Sequence, residues 1–306
     1  MNIVRAEDYH VPVMLQECLE GMQLRPEGCY VDVTFGGGGH SRAILKELQG
    51  AGMLYSFDQD PDAAARAPQQ PCFTFIASNF RHLARFMDYY DRLGQVDAIL
   101  ADLGVSSHHF DAMERGFSFR DETPLLDMRM NNRAGLSARD LVNSYEEEQL
   151  ADVLYRYGEL KQSRSLAKLI VKARSVAPLQ TVGDLISALR PTLRPDQEKK
   201  LLACIFQALR IEVNGELKAL EELLEASLRV LRPGGRLVVM TYHSLEDRIV
   251  KNFLKGTDDS AEAQIYGTAR SAWRLVTRKP LVASAEELER NPRSRSAKLR
   301  IAERIR

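Results

Sequence analysis

Short apolar runs alternate with helical stretches over residues 28–105: GCYVDVTF, AILKELQG, AGMLYSFDQD and QVDAILADLGV. Strands separated by helices at this interval predict βαβ units and a parallel sheet. Each run closes on an acid or a glycine-rich turn, at the edge where open α/β sheets hold their ligands. From about 112 to 205 the strand signal disappears. Ser144 with Glu147 predicts a capping box ahead of Leu150, Val153, Leu154 and Tyr157 at helical spacing. Leu166, Leu169, Ile170 and Ala173 make a second apolar stripe, and Thr181 with Asp184 a second cap. LKALEELLEASLRVLRPGGRLVVMTYHS then returns to α/β character, with a helix to Leu231, a stop at Pro233-Gly234-Gly235 and a strand over 236–241. The pattern predicts an α/β fold: one doubly wound, Rossmann-like sheet domain built from residues 1–111 and 206–306, interrupted by an all-helical insertion over 112–205.

The first strand runs into DVTFGGGGHSRAIL at positions 32–45. Consecutive glycines at a strand-to-helix turn imply unusual dihedrals and close approach of backbone to a ligand. Asp58 closes the next strand, twenty residues after Gly38, where an acid reaches the ribose hydroxyls of an adenosine cofactor. NAD and S-adenosylmethionine both suit such a loop. The dinucleotide fingerprint asks for a third Gly or Ala at the helix start, and Ser41 or Arg42 stands there instead. A D-x-x-x-G-x-G-G turn fits S-adenosylmethionine better, because the helix N-terminus attracts its carboxylate. The later LRPGGRLVV segment agrees with that class.

Composition adds limits. Cys18, Cys29, Cys72 and Cys204 are far apart, which points to reduced thiols and neither a disulfide framework nor a metal site. MNIVRAEDYHVPVML carries acids and a proline where a signal peptide needs an apolar run. No stretch reaches the roughly 18 apolar residues of a membrane span, so a cytoplasmic protein without a membrane partner is expected. Lys and Arg (42) balance Asp and Glu (42) over the whole chain, which by itself argues against nucleic acid. The balance is uneven: residues 268–306 hold eleven Lys or Arg against four acids, six of them in PRSRSAKLRIAERIR. That tail is either a solvated basic segment or a contact for RNA phosphates.

Further strings complete the picture: DLGVSS at 102–107, RGFSF at 115–119, LDMRM at 126–130, FQALRIEVNGEL at 206–217 and HSLEDRIVK at 243–251. Together with the glycine loop they make the chain similar, over nearly its whole length, to the bacterial 16S rRNA (cytosine-N4)-methyltransferase family, RsmH/MraW. The resemblance implies a class I methyltransferase fold with the helical insertion over 112–205 as the substrate-recognition domain, S-adenosylmethionine as cofactor, and 16S rRNA or the small ribosomal subunit as partner. It implies cofactor contacts from Gly38, Gly39, His40, Asp58, Phe80 and Asp102, with His109 standing where relatives often carry Gln.

The chemistry then narrows to a few residues. An exocyclic amine needs acceptors that turn its nitrogen lone pair toward the methyl group, and a path for a proton. Asp102 matches the first position of the segment used by amino-methylating enzymes, and either the amine or the cofactor is its partner. The prolines and stacking aromatic of that segment are absent, leaving Tyr242, His243 and Phe110 as candidates to stack on the base. His243 and Asp247 are read as substrate or proton-handling groups; the alternative is a Ser244–Asp247 capping box. Arg115, Arg120, Arg129 and Arg133 either line the substrate mouth or pair with Asp121, Glu122 and Asp127. Two other functions remain open at this level, an NAD-dependent oxidoreductase and a non-catalytic RNA-binding module.

Overall fold

The computed structural model describes residues 12–104, 115–133, 135–256 and 271–305. The chain forms two compact units, Met1–Gly104 with Leu217–Arg306, and Val105–Glu216. The first half of the sheet unit contains α1 (Leu15–Met22), β1 (Cys29–Asp32), α2 (Gly39–Leu48), β2 (Met53–Asp58), α3 (Pro61–Ala64), β3 (Phe73–Ala77), α4 (Leu83–Tyr89) and β4 (Val96–Asp102).

The second unit is helical: α5 (Ala138–Ser144), α6 (Glu147–Gly158), α7 (Ser163–Arg174), α8 (Val182–Leu189) and α9 (Glu198–Asn214). It has its own core, in which Leu150, Leu154, Leu166, Ile170, Leu185, Leu189, Ile205 and Leu209 are fully buried. Thr181 and Asp184 cap α8 as expected, with Asp184 N donating to Thr181 Oγ1 at 3.1 Å and Thr181 N to Asp184 Oδ2 at 2.8 Å. The Ser144–Glu147 box does not form. Ser144 closes α5, donating to Asp140 O at 2.7 Å. Tyr145 then breaks the helix in extended conformation, its hydroxyl held by Glu212 at 2.9 Å. The cap passes to Glu146, whose N–H donates to Gln149 Oε1 at 2.9 Å. The expected junction at 111/112 lies outside the described residues, and that at 205/206 falls inside α9. Buried Leu201, Leu202, Ile205 and Leu209 hold α9 in the helical core, and Gly215 (φ 58) ends it, so the chain leaves this unit after Glu216.

The sheet unit resumes with α10 (Glu216–Val230), β5 (Leu231–Thr241), α11 (Ser244–Lys255), β6 (Trp273–Leu275), α12 (Ala285–Arg290) and β7 (Lys298–Arg304). The strand order is β3-β2-β1-β4-β5-β7-β6. The first five are parallel, and β7 runs antiparallel between β5 and β6. This is the doubly wound, Rossmann-like sheet that the sequence predicts, with an antiparallel strand added near one edge. β4 (VDAILAD) is buried at six of its seven residues, as a parallel strand covered on both faces requires. Side chains alternate between two cores: Val31, Ile99 and Val239 pack with Leu220, Leu224 and Val250, while Tyr30, Leu100 and Val238 pack with Met22 and Ile44. The Pro-Gly-Gly stop is milder than its sequence suggests. β5 starts directly at Leu231 and pairs with Val96, bulges, and rejoins β4 with Arg236 opposite Ala98. Asp97 secures that end, accepting from Cys29 N at 2.8 Å and Arg232 Nε at 2.5 Å and pairing with Arg25.

Candidate active site

β2 and β3 extend the sheet on one side of β1, β4 and β5 on the other, so the chain switches direction between β1 and β4. Open α/β sheets bind ligands at the carboxyl ends flanking that switch point. Asp32, Asp58 and Asp102 end β1, β2 and β4.

Asp32 is fully buried and its carboxylate is satisfied locally. It accepts from Thr34 N at 3.0 Å and Ser41 Oγ at 2.6 Å, and Ser41 is 2.8 Å from Ser56 Oγ. The serine that departs from the dinucleotide fingerprint therefore fastens α2 to two strands by hydrogen bonds, where a glycine would do so by close packing alone. Thr34 Oγ1 accepts from Asp102 N at 2.7 Å, tying the ends of β1 and β4 together. Gly38 caps α2 at φ 78, a left-handed backbone that a side chain strains, and a Cβ there would lie 2.6 Å from the Phe35 ring. Gly39 opens the helix against Pro12. Asp58 is held by two backbone donors, Gly36 N at 2.7 Å and Asp60 N at 2.8 Å. Phe80 is half-buried at the turn after β3. The neighbouring Asn79 donates to Gln59 Oε1 at 2.8 Å and accepts from Arg81 N, linking the ends of β2 and β3. Gln59 and Asn79 escape sequence reading because no motif marks them. His109 and Phe110 lie outside the described residues.

Asp102 is the centre of the constellation. Its side chain keeps 22% of its surface exposed. One oxygen, Oδ1, accepts from Tyr242 Oη at 2.7 Å. The other, Oδ2, is 3.6 Å from His40 Nδ1. His40 is buried, and its Nε2 stands 3.1 Å from Val13 O. A carbonyl only accepts, so Nε2 carries the hydrogen and Nδ1 is the nitrogen turned to Asp102. Burial raises the Asp102 pKa to about 6; His40 and the Tyr242 hydroxyl pull it down, while Asp32 and Glu246 push it further up. Burial and Asp102 also raise the Tyr242 hydroxyl well beyond its ordinary range, so it remains a donor. Its ring packs beside Gly104, where a Cβ would meet Tyr242 at 3.1 Å. The sequence offers Tyr242 only as a stacking candidate; its hydrogen bond to Asp102 comes from the pairing of β4 with β5.

The sequence profile of the MraW methylase family matches residues 7–305. The chain belongs to this family. Its relatives include proteins named "Ribosomal RNA small subunit methyltransferase H" from Parabacteroides distasonis (62% identical, 97% of this chain and 98% of the relative), Porphyromonas gingivalis (63%, 97% and 97%) and Bacteroides thetaiotaomicron (58%, 97% and 97%).

In this MraW-family chain the HSLEDR segment caps a helix one residue earlier than the Ser244–Asp247 alternative. His243 is the N-cap of α11, with Glu246 N 3.5 Å from its Nδ1. The buried Glu246 reaches back to accept from Tyr242 N at 2.8 Å and His243 N at 3.4 Å, and lies 3.2 Å from His243 Nε2. Glu246 thus fixes the backbone of the tyrosine that holds Asp102, a role carried by an H-x-x-E spacing that sequence reading passes over. Asp247 points to β7 instead, pairing with Arg300 Nε at 2.8 Å and Lys298 Nζ at 3.6 Å. Burial alone would raise its pKa; the two cations outweigh it and hold the carboxyl below its ordinary value. Asp247 is a tie between α11 and β7, and this geometry gives it no proton-handling task. In the helical unit Arg129 pairs with Asp127 at 2.7 Å, one of the acids anticipated as a partner. Arg115 donates to the Arg129 and Met130 carbonyls at 2.6 and 2.8 Å. Both arginines therefore brace their own loop, while Arg120 and Arg133 are exposed. No helix among the described residues is long and apolar enough to cross a membrane.

Proposed function

We propose that this chain methylates the exocyclic N4 of a cytidine in the decoding region of 16S rRNA, as a free strand or within the small subunit, using S-adenosylmethionine. Family membership carries the methylase activity, and relatives named for small-subunit rRNA carry the substrate class. Asp102 carries the choice of an amine. It is a partly exposed carboxylate at the switch point, with Tyr242 on one oxygen and the other turned toward His40. Such a group accepts a hydrogen from an amine and orients the nitrogen lone pair. With a pKa near 6 it is ionised at neutral pH, and a proton it receives sits beside His40 Nδ1. Methylation at a ring carbon would need a thiolate to add to the base. Cys18 is fully buried and its thiol is pushed well up by burial and by Asp102, so it is not that nucleophile.

Bound S-adenosylmethionine supplies the methyl group and its leaving group. The residues suit it: α2 has a glycine cap without a side-chain bond, which leaves its first N–H groups to face a carboxylate. Gly38, Gly39 and His40 would hold the methionine end, Asp58 the ribose, and Phe80 the adenine side, with His109 as a further contact. Gly38→Val, strained by φ 78 and crowded by Phe35, is expected to abolish cofactor binding. Asp58→Ala is expected to weaken it by about 10- to 150-fold, taking about 1.5–3 kcal/mol for a bond to a charged acceptor. Calorimetry with S-adenosylmethionine, and with NADH as the competing ligand, checks both; wild-type affinity in the two variants would remove the cofactor assignment. The function itself is tested by nucleoside mass spectrometry of 16S rRNA from cells lacking the protein. Loss of N4-methylcytidine supports it, and an unchanged level overturns it.

A further inference from the structure

α7 carries a set of cations that the catalytic unit does not use. Over residues 160–183 the chain has five Lys or Arg and no acid. Arg174 turns inward, donating to Val142 O at 2.8 Å. Lys161, Arg164, Lys168 and Lys172 are exposed, and among the described residues none of them forms an ion pair. Arg164, Lys168 and Lys172, four residues apart, lie on one face of α7, one per turn, with neighbours about 5–6 Å apart, and Lys161 stands in the turn just before the helix. Like charges at that spacing destabilise a helix, so helix stability does not explain the pattern. The spacing is comparable with that of successive phosphates on one strand.

The opposite face decides between two anionic partners. Leu166, Ala167 and Ile170 are fully buried in the helical core. A helix that lies on a membrane must turn its apolar face into the lipid, and this one has none to offer. We infer that the exposed face of α7 is a docking rail for the phosphate backbone of ribosomal RNA, supplying affinity without reading bases. The inference rests on the small-subunit rRNA reading above.

The test is the full-length protein carrying K161Q, R164Q, K168Q and K172Q together. Gln matches Lys and Arg in helix propensity, and circular dichroism with S-adenosylmethionine affinity, which belongs to the other unit, checks that the fold is kept. Binding of a 16S rRNA transcript and of small subunits is measured between 50 and 200 mM salt, conditions that expose counterion release. The salt slope is expected to fall by about three, at about 0.7–0.9 for each phosphate no longer neutralised, and KM for RNA to rise at least about tenfold with kcat held. An unchanged slope and KM overturn the rail while leaving the rRNA reading intact. A wild-type protein that binds no small-subunit RNA overturns both. Wild-type binding to phosphatidylserine vesicles that the variant loses, with RNA binding unaltered, would assign the face to a membrane and reject the proposal. Salt-dependent RNA binding that the variant loses supports the rail even if the methylated position proves to be another base.

Discussion

Asp102→Asn is expected to lower single-turnover methyl transfer by about 10²–10⁴, the range for a positioned acid–base group, while S-adenosylmethionine affinity changes only a few-fold. Asparagine keeps the size and one acceptor oxygen but loses the charge and the proton site. In the wild type the rate should rise with pH through about 6, the value of the Asp102 carboxyl, and the variant should lose this inflection. Tyr242→Phe removes the hydroxyl that stabilises the anion, so it should move the inflection upward while leaving a wild-type-like plateau at high pH. Stability should change in the opposite sense. The Asp102 pKa is raised above the unfolded value of 3.8, so the wild type loses stability relative to Asn as pH climbs from about 4 to about 6. At about 1.36 kcal/mol per pKa unit the gap is about 3 kcal/mol. Thermal melts at pH 4 and pH 8 check the sign: the variant should gain only at the higher pH. Full transfer activity with full cofactor affinity in Asp102→Asn would move the reaction centre elsewhere, with His243 the next candidate.

Removing residues 292–306 should abolish cooperative unfolding of the sheet unit. On its charge alone the tail could be an RNA contact, in which case truncation would spare the cofactor site. Its structure makes it β7, between β5 and β6, with Leu299, Ile301 and Ala302 buried at 0–4% exposure. Two such aliphatic side chains are worth about 3–6 kcal/mol. The cut also strips hydrogen-bond partners from both neighbouring strands and leaves the partly buried Asp247 without Arg300 and Lys298. A domain whose whole stability is about 5–15 kcal/mol does not survive that loss. Calorimetry of the truncated chain should show no cooperative transition from the sheet unit and no S-adenosylmethionine binding. A sharp melt with intact binding would show β7 to be dispensable. Much of the tail's charge is used inside the fold: Arg300 pairs with Asp247, and Arg304 donates to Leu231 O.

Periodicity in the sequence determined the sheet, the helical insertion and the glycine loop, because these rest on local alternation and on backbone geometry only glycine accepts without strain. VDAILAD could be read as a buried strand ending in an acid, and T-V-G-D as a cap, from neighbours alone. Where two caps compete within a few residues, as Ser144 with Glu146 and Ser244 with His243, local rules do not choose; the choice fell to the side chains that packing had already drawn away, Tyr145 to Glu212 and Asp247 to Arg300. The same holds for the basic tail, whose charge was legible but whose place as an inner antiparallel strand depends on a pairing register with β5. Asp102 could be named from its strand. That its oxygens face Tyr242 and His40, residues 140 and 62 positions away in the chain, was decided only when β1, β4 and β5 came side by side, since hydrogen bonds at that sequence separation exist only after the sheet has closed the distance.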